Sequence, residues 1–120
     1  ETGLGAAKGT KLNLSLRPGA TDRDFLSAFM KIENFIGSMK FELIIFQCGA
    51  DGLSGDPLTH LKYTDKSHEY AARVLHRIAH EKSSGRIIGL GGGGYNTQNL
   101  ASAWNRVVQV FVSDDSMMES

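Results

Sequence analysis

The sequence has a single cysteine, Cys48, and two prolines, Pro18 and Pro57. One cysteine excludes an internal disulfide, so the fold must rest on packing. Lying inside an apolar run, Cys48 reads as a small buried hydrophobe in a reducing compartment, which points to a cytoplasmic protein. Excess charge is also missing: 13 basic residues balance 13 acidic ones, with no block of like sign. That balance argues against nucleic acid or an anionic membrane surface as a partner. No apolar run approaches the roughly 18–20 residues that cross a bilayer. A starting methionine, a basic leader and an apolar leader are absent too, and the opening Glu1-Thr2-Gly3-Leu4-Gly5 reads as a cut or processed end.

What is present is organised around Phe41-Glu42-Leu43-Ile44-Ile45-Phe46-Gln47-Cys48-Gly49-Ala50-Asp51-Gly52-Leu53-Ser54-Gly55-Asp56-Pro57. Positions 41–46 are apolar except for Glu42, which predicts a strand over about 41–48 buried on both faces, as parallel sheets require. The loop that follows is glycine-rich and presents two charges, Asp51 and Asp56. In open parallel sheets ligands gather at the carboxyl ends of the strands, so these carboxylates are site candidates.

Around this stretch the periodicities predict an α/β order. Leu12, Leu14 and Leu16 alternate with polar residues and predict a first strand, closed by Pro18-Gly19. Thr21 with Asp22 and Asp24 starts a helix whose stripe is Phe25, Ala28, Phe29, Ile32, Phe35 and Ile36, ending at Gly37. Thr64 or Asp65 caps a second helix with the face Ala71, Val74, Leu75, Ile78 and Ala79, which ends at Ser83-Ser84-Gly85. Arg86 to Leu90 is a further strand, so this part is a βαβ unit with parallel strands and loops sharing one edge. After Gly91-Gly92-Gly93-Gly94-Tyr95, Asn96 or Thr97 caps a third helix with the face Leu100, Ala103, Trp104, Val107, Val108 and Phe111. Residues 113–120 read as a disordered tail.

Four consecutive glycines between a strand and a helix imply a backbone with positive φ or very close approach, as in the wall of a ligand channel. A phosphate loop is the rival, but no Gly-Lys-Ser/Thr follows and the Gly-x-Gly-x-x-Gly spacing is missing. Tyr95 leaves this loop on the edge expected for Asp56, while Asp51, nearer its strand, reads as structural. His76 and His80 have metal-compatible spacing, yet they lie mostly off the apolar stripe and Arg77 replaces the glutamate of a zinc-protease helix; solvent exposure is expected. His60 is a candidate ligand on position alone, and Trp104 reads as core.

Gln47 to Asp56, followed by Gly91 to Asn96 and then Asn99, Ala101 and Trp104, resembles the histone deacetylase superfamily, especially its bacterial acetoin-utilisation-type members. The resemblance runs over about residues 3–110 and covers only the C-terminal third of such an enzyme, so residues 1–120 read as one partial domain. It implies a three-layer α/β/α arginase–deacetylase fold with a parallel sheet, to which this chain gives about three strands and three helices. It also implies a catalytic zinc at the strand carboxyl ends, with Asp56 a ligand and Tyr95 the phenol that stabilises the tetrahedral oxyanion. Gly92 and Gly93 would line the acyl tunnel, Tyr63 would sit at its mouth, and Asp51 and Gly49 would hold the site loop. The substrate implied is acetyl-lysine or an acetylated small amine, cleaved by water. The family's other ligands, an Asp-x-His pair, and its tandem histidines match nothing here, so this chain alone is expected to be inactive. The competing reading is a non-catalytic, self-associating module of the same fold. In either reading, exposed strand edges predict a homo-oligomer.

Overall fold

The computed structural model describes residues 1–113, and the expectation for the rest of the tail lies outside the described residues. Ser113 itself is still tied to α3 below, its N–H and hydroxyl both donating to the Val110 carbonyl. The described elements are α1 (Asp22–Gly37), β1 (Ile44–Gln47), α2 (Asp65–Lys82), β2 (Ile87–Leu90) and α3 (Thr97–Phe111), after one 3-10 turn at Gly5–Ala7. The strands pair in parallel, Ile44 beside Ile87 and Gln47 beside Leu90, with α2 as their crossover. The α/β class and the parallel βαβ unit are as the sequence predicts.

Each helix begins where its polar residues can occupy the unpaired N–H groups of a first turn. Thr21 and Asp24 form a capping box, the Asp24 carboxylate accepting from the Thr21 N–H at 2.9 Å. Asp22, beside that cap, reaches across to the start of α2 and accepts from the Thr64 N–H at 2.8 Å, the Thr64 hydroxyl at 2.6 Å and the Ser67 hydroxyl at 2.5 Å. Burial raises the Asp22 pKa, and the Ser67 and Thr64 bonds outweigh that effect, leaving the carboxyl below its ordinary range. One carboxylate thus fixes two helix N-termini against each other. At the far end, the Lys82 ammonium donates to the Gly37 and Met39 carbonyls at 2.6 and 2.9 Å, satisfying the C-terminus of α1.

The core lies between the sheet and the helices. Phe29 of α1 meets Ala71, Val74, Leu75 and Ile78 of α2, and Ile44, Phe46 and Ile87 close this cluster from the sheet. Val107 and Val110 of α3 pack with Ala72 and Cys48 in an adjoining cluster flanked by Trp104. All these contacts lie on one side of the sheet. Ile45, Ile88 and Leu90, on the other side, are 64%, 48% and 48% exposed. The expected burial of the central strand on both faces is therefore corrected: no described residue supplies the second helix layer.

Three further expectations are revised for physical reasons. Residues 11–17 form no strand, because a strand needs a partner and among the described residues the sheet has two members only. The alternation of Leu12, Leu14 and Leu16 marks an extended segment in which Leu16 packs on Ala20, Leu53 and Tyr63 and Leu12 stays in solvent. His76, expected to be exposed, is buried, because α3 covers a side of α2 adjacent to the stripe that the periodicity identifies. Val108 shows the converse, half-exposed on α3 despite its helical spacing. No helix of the described residues is long and apolar enough to cross a membrane.

Candidate active site

The parallel pairing carries on past the strands and brings their loops together. The Cys48 N–H donates to the Leu90 carbonyl at 2.7 Å, and the Ala50 N–H donates to the Gly93 carbonyl at 2.6 Å. The glycine run is needed for this approach. A Cβ on Gly93 would lie 2.8 Å from the Asp51 carboxylate carbon, and one on Gly92 would overlap the Gln47 amide. Gly94 combines a φ of +139° with a site 3.0 Å from the Ala50 Cβ, so a side chain there meets both strain and crowding.

Asp56 ends the first loop. Pro57 has no N–H, so the turn closes on the next two residues: Asp56 Oδ1 accepts from the N–H groups of Leu58 at 2.8 Å and Thr59 at 3.3 Å. Oδ2 accepts from the Tyr95 N–H at 3.0 Å. The residue is buried, which raises its pKa, but the N–H groups of Leu58, Tyr95 and Thr59 act more strongly, and the carboxyl sits below its usual range. Asp56 is therefore an ionised carboxylate held rigidly by backbone donors. Three of its roughly four acceptor positions are used, leaving one for a cation.

Tyr95 thus touches Asp56 through its backbone, and the residue is 62% exposed. Two asparagines hold this arrangement. Asn96 caps α3, its side-chain oxygen accepting from the Gln98 and Asn99 N–H groups, both at 3.1 Å. Asn99 then donates to the Ser54 carbonyl at 3.0 Å, fastening the first loop to the start of α3.

His68 is a positioning residue that sequence reasoning missed. Its Nε2 lies 2.8 Å from the Gly49 carbonyl, and since a carbonyl only accepts, Nε2 carries the proton. The ring is buried in the first turn of α2 and anchors the loop that leaves β1. Its position one turn before Ala71 and Ala72, on the inner side of the helix, is the available sequence signal.

The remaining candidates divide. Asp51 lies against Gly49 and Gly93, inside the joint between the loops, and its carbonyl accepts from the Thr59 hydroxyl. Tyr63 is buried in the core, its ring edge-on to Phe25 at 5.1 Å and against Gly52, where the sequence resemblance implies a place at a tunnel mouth. Burial, with Asp24 and Asp22 nearby, pushes its hydroxyl pKa up. His60 has an exposed side chain and contributes its carbonyl to the Gly19 N–H at 2.6 Å. Cys48 is buried and its thiol is pushed up to about 11 by desolvation, so it is a poor nucleophile and a packing residue.

A zinc centre of the kind the resemblance implies needs about three protein ligands and an open position. Asp56, ionised and with one acceptor position left, fits as one of them. Among the described residues, however, no three His, Cys, Asp or Glu side chains gather to hold a metal, so this chain alone does not fit the complete group.

Comparison with known proteins shows the fold and the family. The solved structure of the histone deacetylase Clr3 superposes with a TM-score of 0.84 over 92% of this chain and 18% of that one, a likeness of fold at 22% identity. Acetoin utilization protein AcuC of Bacillus subtilis (strain 168) is 35% identical over 109 residues, 89% of this chain and 28% of that protein. Histone deacetylase 6 of Arabidopsis thaliana is 34% identical over 120 residues, 96% of this chain and 24% of that protein. The chain therefore spans little more than a quarter of these relatives at most. The family model described as the histone deacetylase domain matches residues 1–111, and the chain belongs to that family.

Proposed function

We propose that this chain provides the carboxylate-and-phenol part of a deacetylase site that hydrolyses the acetyl amide of acetyl-lysine or of an acetylated small amine. The observation that supports this reading is the 3.0 Å bond from the Tyr95 N–H to Asp56 Oδ2, which ties the loops that follow the two strands to each other. Attack on an acetyl carbonyl builds negative charge on its oxygen. The Tyr95 phenol donates a hydrogen bond to that oxygen, and one such donor is worth roughly 10²–10³ in rate. Asp56 would offer one oxygen ligand to zinc, the metal the family resemblance implies. Gly92 and Gly93 keep the wall beside them free of side chains, while Asp51 and Gly49 hold the loops in register. Because one ligand does not make a catalytic zinc site, the isolated chain is inactive and binds zinc weakly. The missing ligands and proton-transfer groups come from residues outside it.

Ile45, Ile88 and Leu90 favour a second property, self-association. An apolar sheet face with two open strand edges is a surface that pairs with another copy when nothing else covers it.

The test is acetate release from an acetyl-lysine peptide by the longest polypeptide encoded in frame with this sequence. Activity that falls at least 10²-fold in Tyr95→Phe supports the reading, and activity independent of Tyr95 contradicts it.

A further inference from the structure

His76 and His80 stand one turn apart on α2, and their imidazoles meet. Nε2 lies 2.9 Å from Nε2, the ring centres are 4.7 Å apart and the planes are inclined by 53°. His76 is 6% exposed, its ring 5.7 Å from that of Phe111 in α3. His80 faces solvent and rests on Gly85, where a Cβ would come within 3.1 Å of the ring. Gly85 has a φ of +76°, so the turn that ends α2 both requires a glycine and leaves room for the imidazole. One ring is thus held by the core and the other by a tight turn.

The contact is short enough for a hydrogen bond between the rings, and their placement bears on metal coordination as well. A straight N–H···N contact of this length places the ring centres about 5.1 Å apart, because each centre lies about 1.1 Å behind its nitrogen. The observed 4.7 Å is shorter, so the rings are angled to each other instead of lying end to end. An ion about 2.0–2.1 Å from both nitrogens and subtending about 90–95° gives nitrogens about 3.0 Å apart and ring centres about 4.6 Å apart. A tetrahedral ion needs nitrogens separated by about 3.3 Å. The pair therefore suits adjacent positions of a square-planar or octahedral ion.

We infer that His76 and His80 form a site for a divalent transition metal. The two neutral imidazoles coordinate through Nε2, with their protons on Nδ1, and water completes the shell. The preference is Cu2+, then Ni2+, ahead of Zn2+, from the right-angled geometry together with the general affinity order for nitrogen ligands. This site does not depend on the deacetylase reading and uses neither Asp56 nor Tyr95.

The experiment is titration of the whole chain with CuCl2, NiCl2 and ZnCl2 by calorimetry, followed by electron paramagnetic resonance of the copper complex. One Cu2+ per chain is expected, with hyperfine coupling to two imidazole nitrogens. The exposed His80→Ala should weaken copper binding at least tenfold and leave one coupled nitrogen, whereas His60→Ala should leave binding unchanged. Circular dichroism confirms that His80→Ala remains folded. Unchanged affinity in His80→Ala, a spectrum without two-nitrogen coupling in the unmodified chain, or tighter binding of Zn2+ than of Cu2+ would overturn the inference.

Discussion

Tyr95 donates its backbone N–H to the Asp56 carboxylate at 3.0 Å, so the loop after β2 neutralises part of the charge at the end of the loop after β1. The contact binds the two loops, and Tyr95 is exposed. On the Tyr95 side the contact uses the main chain, whereas on the Asp56 side it uses the carboxylate itself.

Acid should loosen this joint. Asp56, Asp22, Asp24 and Asp65 all have carboxyls below the ordinary value of 3.8 in the folded chain. A depressed folded pKa means that the stabilisation is present above the unfolded value and is lost as pH falls through the folded one. Urea midpoints measured from pH 6 down to pH 2 should fall mainly below about pH 4. In Asp56→Asn that fall should be smaller, and an equal fall in both proteins would contradict the role given to Asp56.

Gly94→Ala should destabilise the chain by about 1–3 kcal/mol, since alanine must adopt a φ of +139° against Ala50. Chemical denaturation gives the number. A change below about 0.5 kcal/mol, the range of ordinary surface substitutions, would show that the loops do not approach as described.

Phe29→Ala should cost about 3–5 kcal/mol. The ring is buried, lies 5.5 Å from Phe25 and meets Tyr70 edge-on at 5.8 Å, and α1 has no other fully buried side chain. Loss of cooperative melting at room temperature would agree, and a wild-type melting curve would not.

Ile88→Lys places a charge on the uncovered sheet face. The unmodified chain at micromolar concentration should sediment as a dimer or larger species, and the variant should shift toward monomer with little loss of stability, because Ile88 faces away from the core. A folded, monodisperse monomer before any substitution would contradict self-association through this face.

Much of this architecture was legible in the sequence because it is written locally. The apolar run before Gly49, the capping residues Thr21, Thr64 and Asn96, and the helical stripes of α1 and α2 identify their elements without reference to the rest of the chain. The convergence of Asp56 and Tyr95 on one edge also followed, since parallel neighbouring strands put their outgoing loops together. What periodicity could not show was which neighbours are present. Leu12 to Leu16 alternate as a strand does but find no partner, and Ile45 is apolar but uncovered. His76 lay off the single stripe and became buried because α3 packs on a second side of α2. The bond from His68 to Gly49 crosses a sequence separation that no local pattern spans.

The central claim is that the Asp56 and Tyr95 edge is half of a deacetylase site. The most direct measurement is acetate release from an acetyl-lysine peptide by the complete polypeptide carrying this sequence, set beside its Tyr95→Phe variant and the 120-residue chain alone. The account predicts activity in the complete protein, a loss of at least about 10²-fold in Tyr95→Phe without loss of folding, and none in the isolated chain. Full activity in Tyr95→Phe, or turnover by the isolated 120 residues, would contradict it.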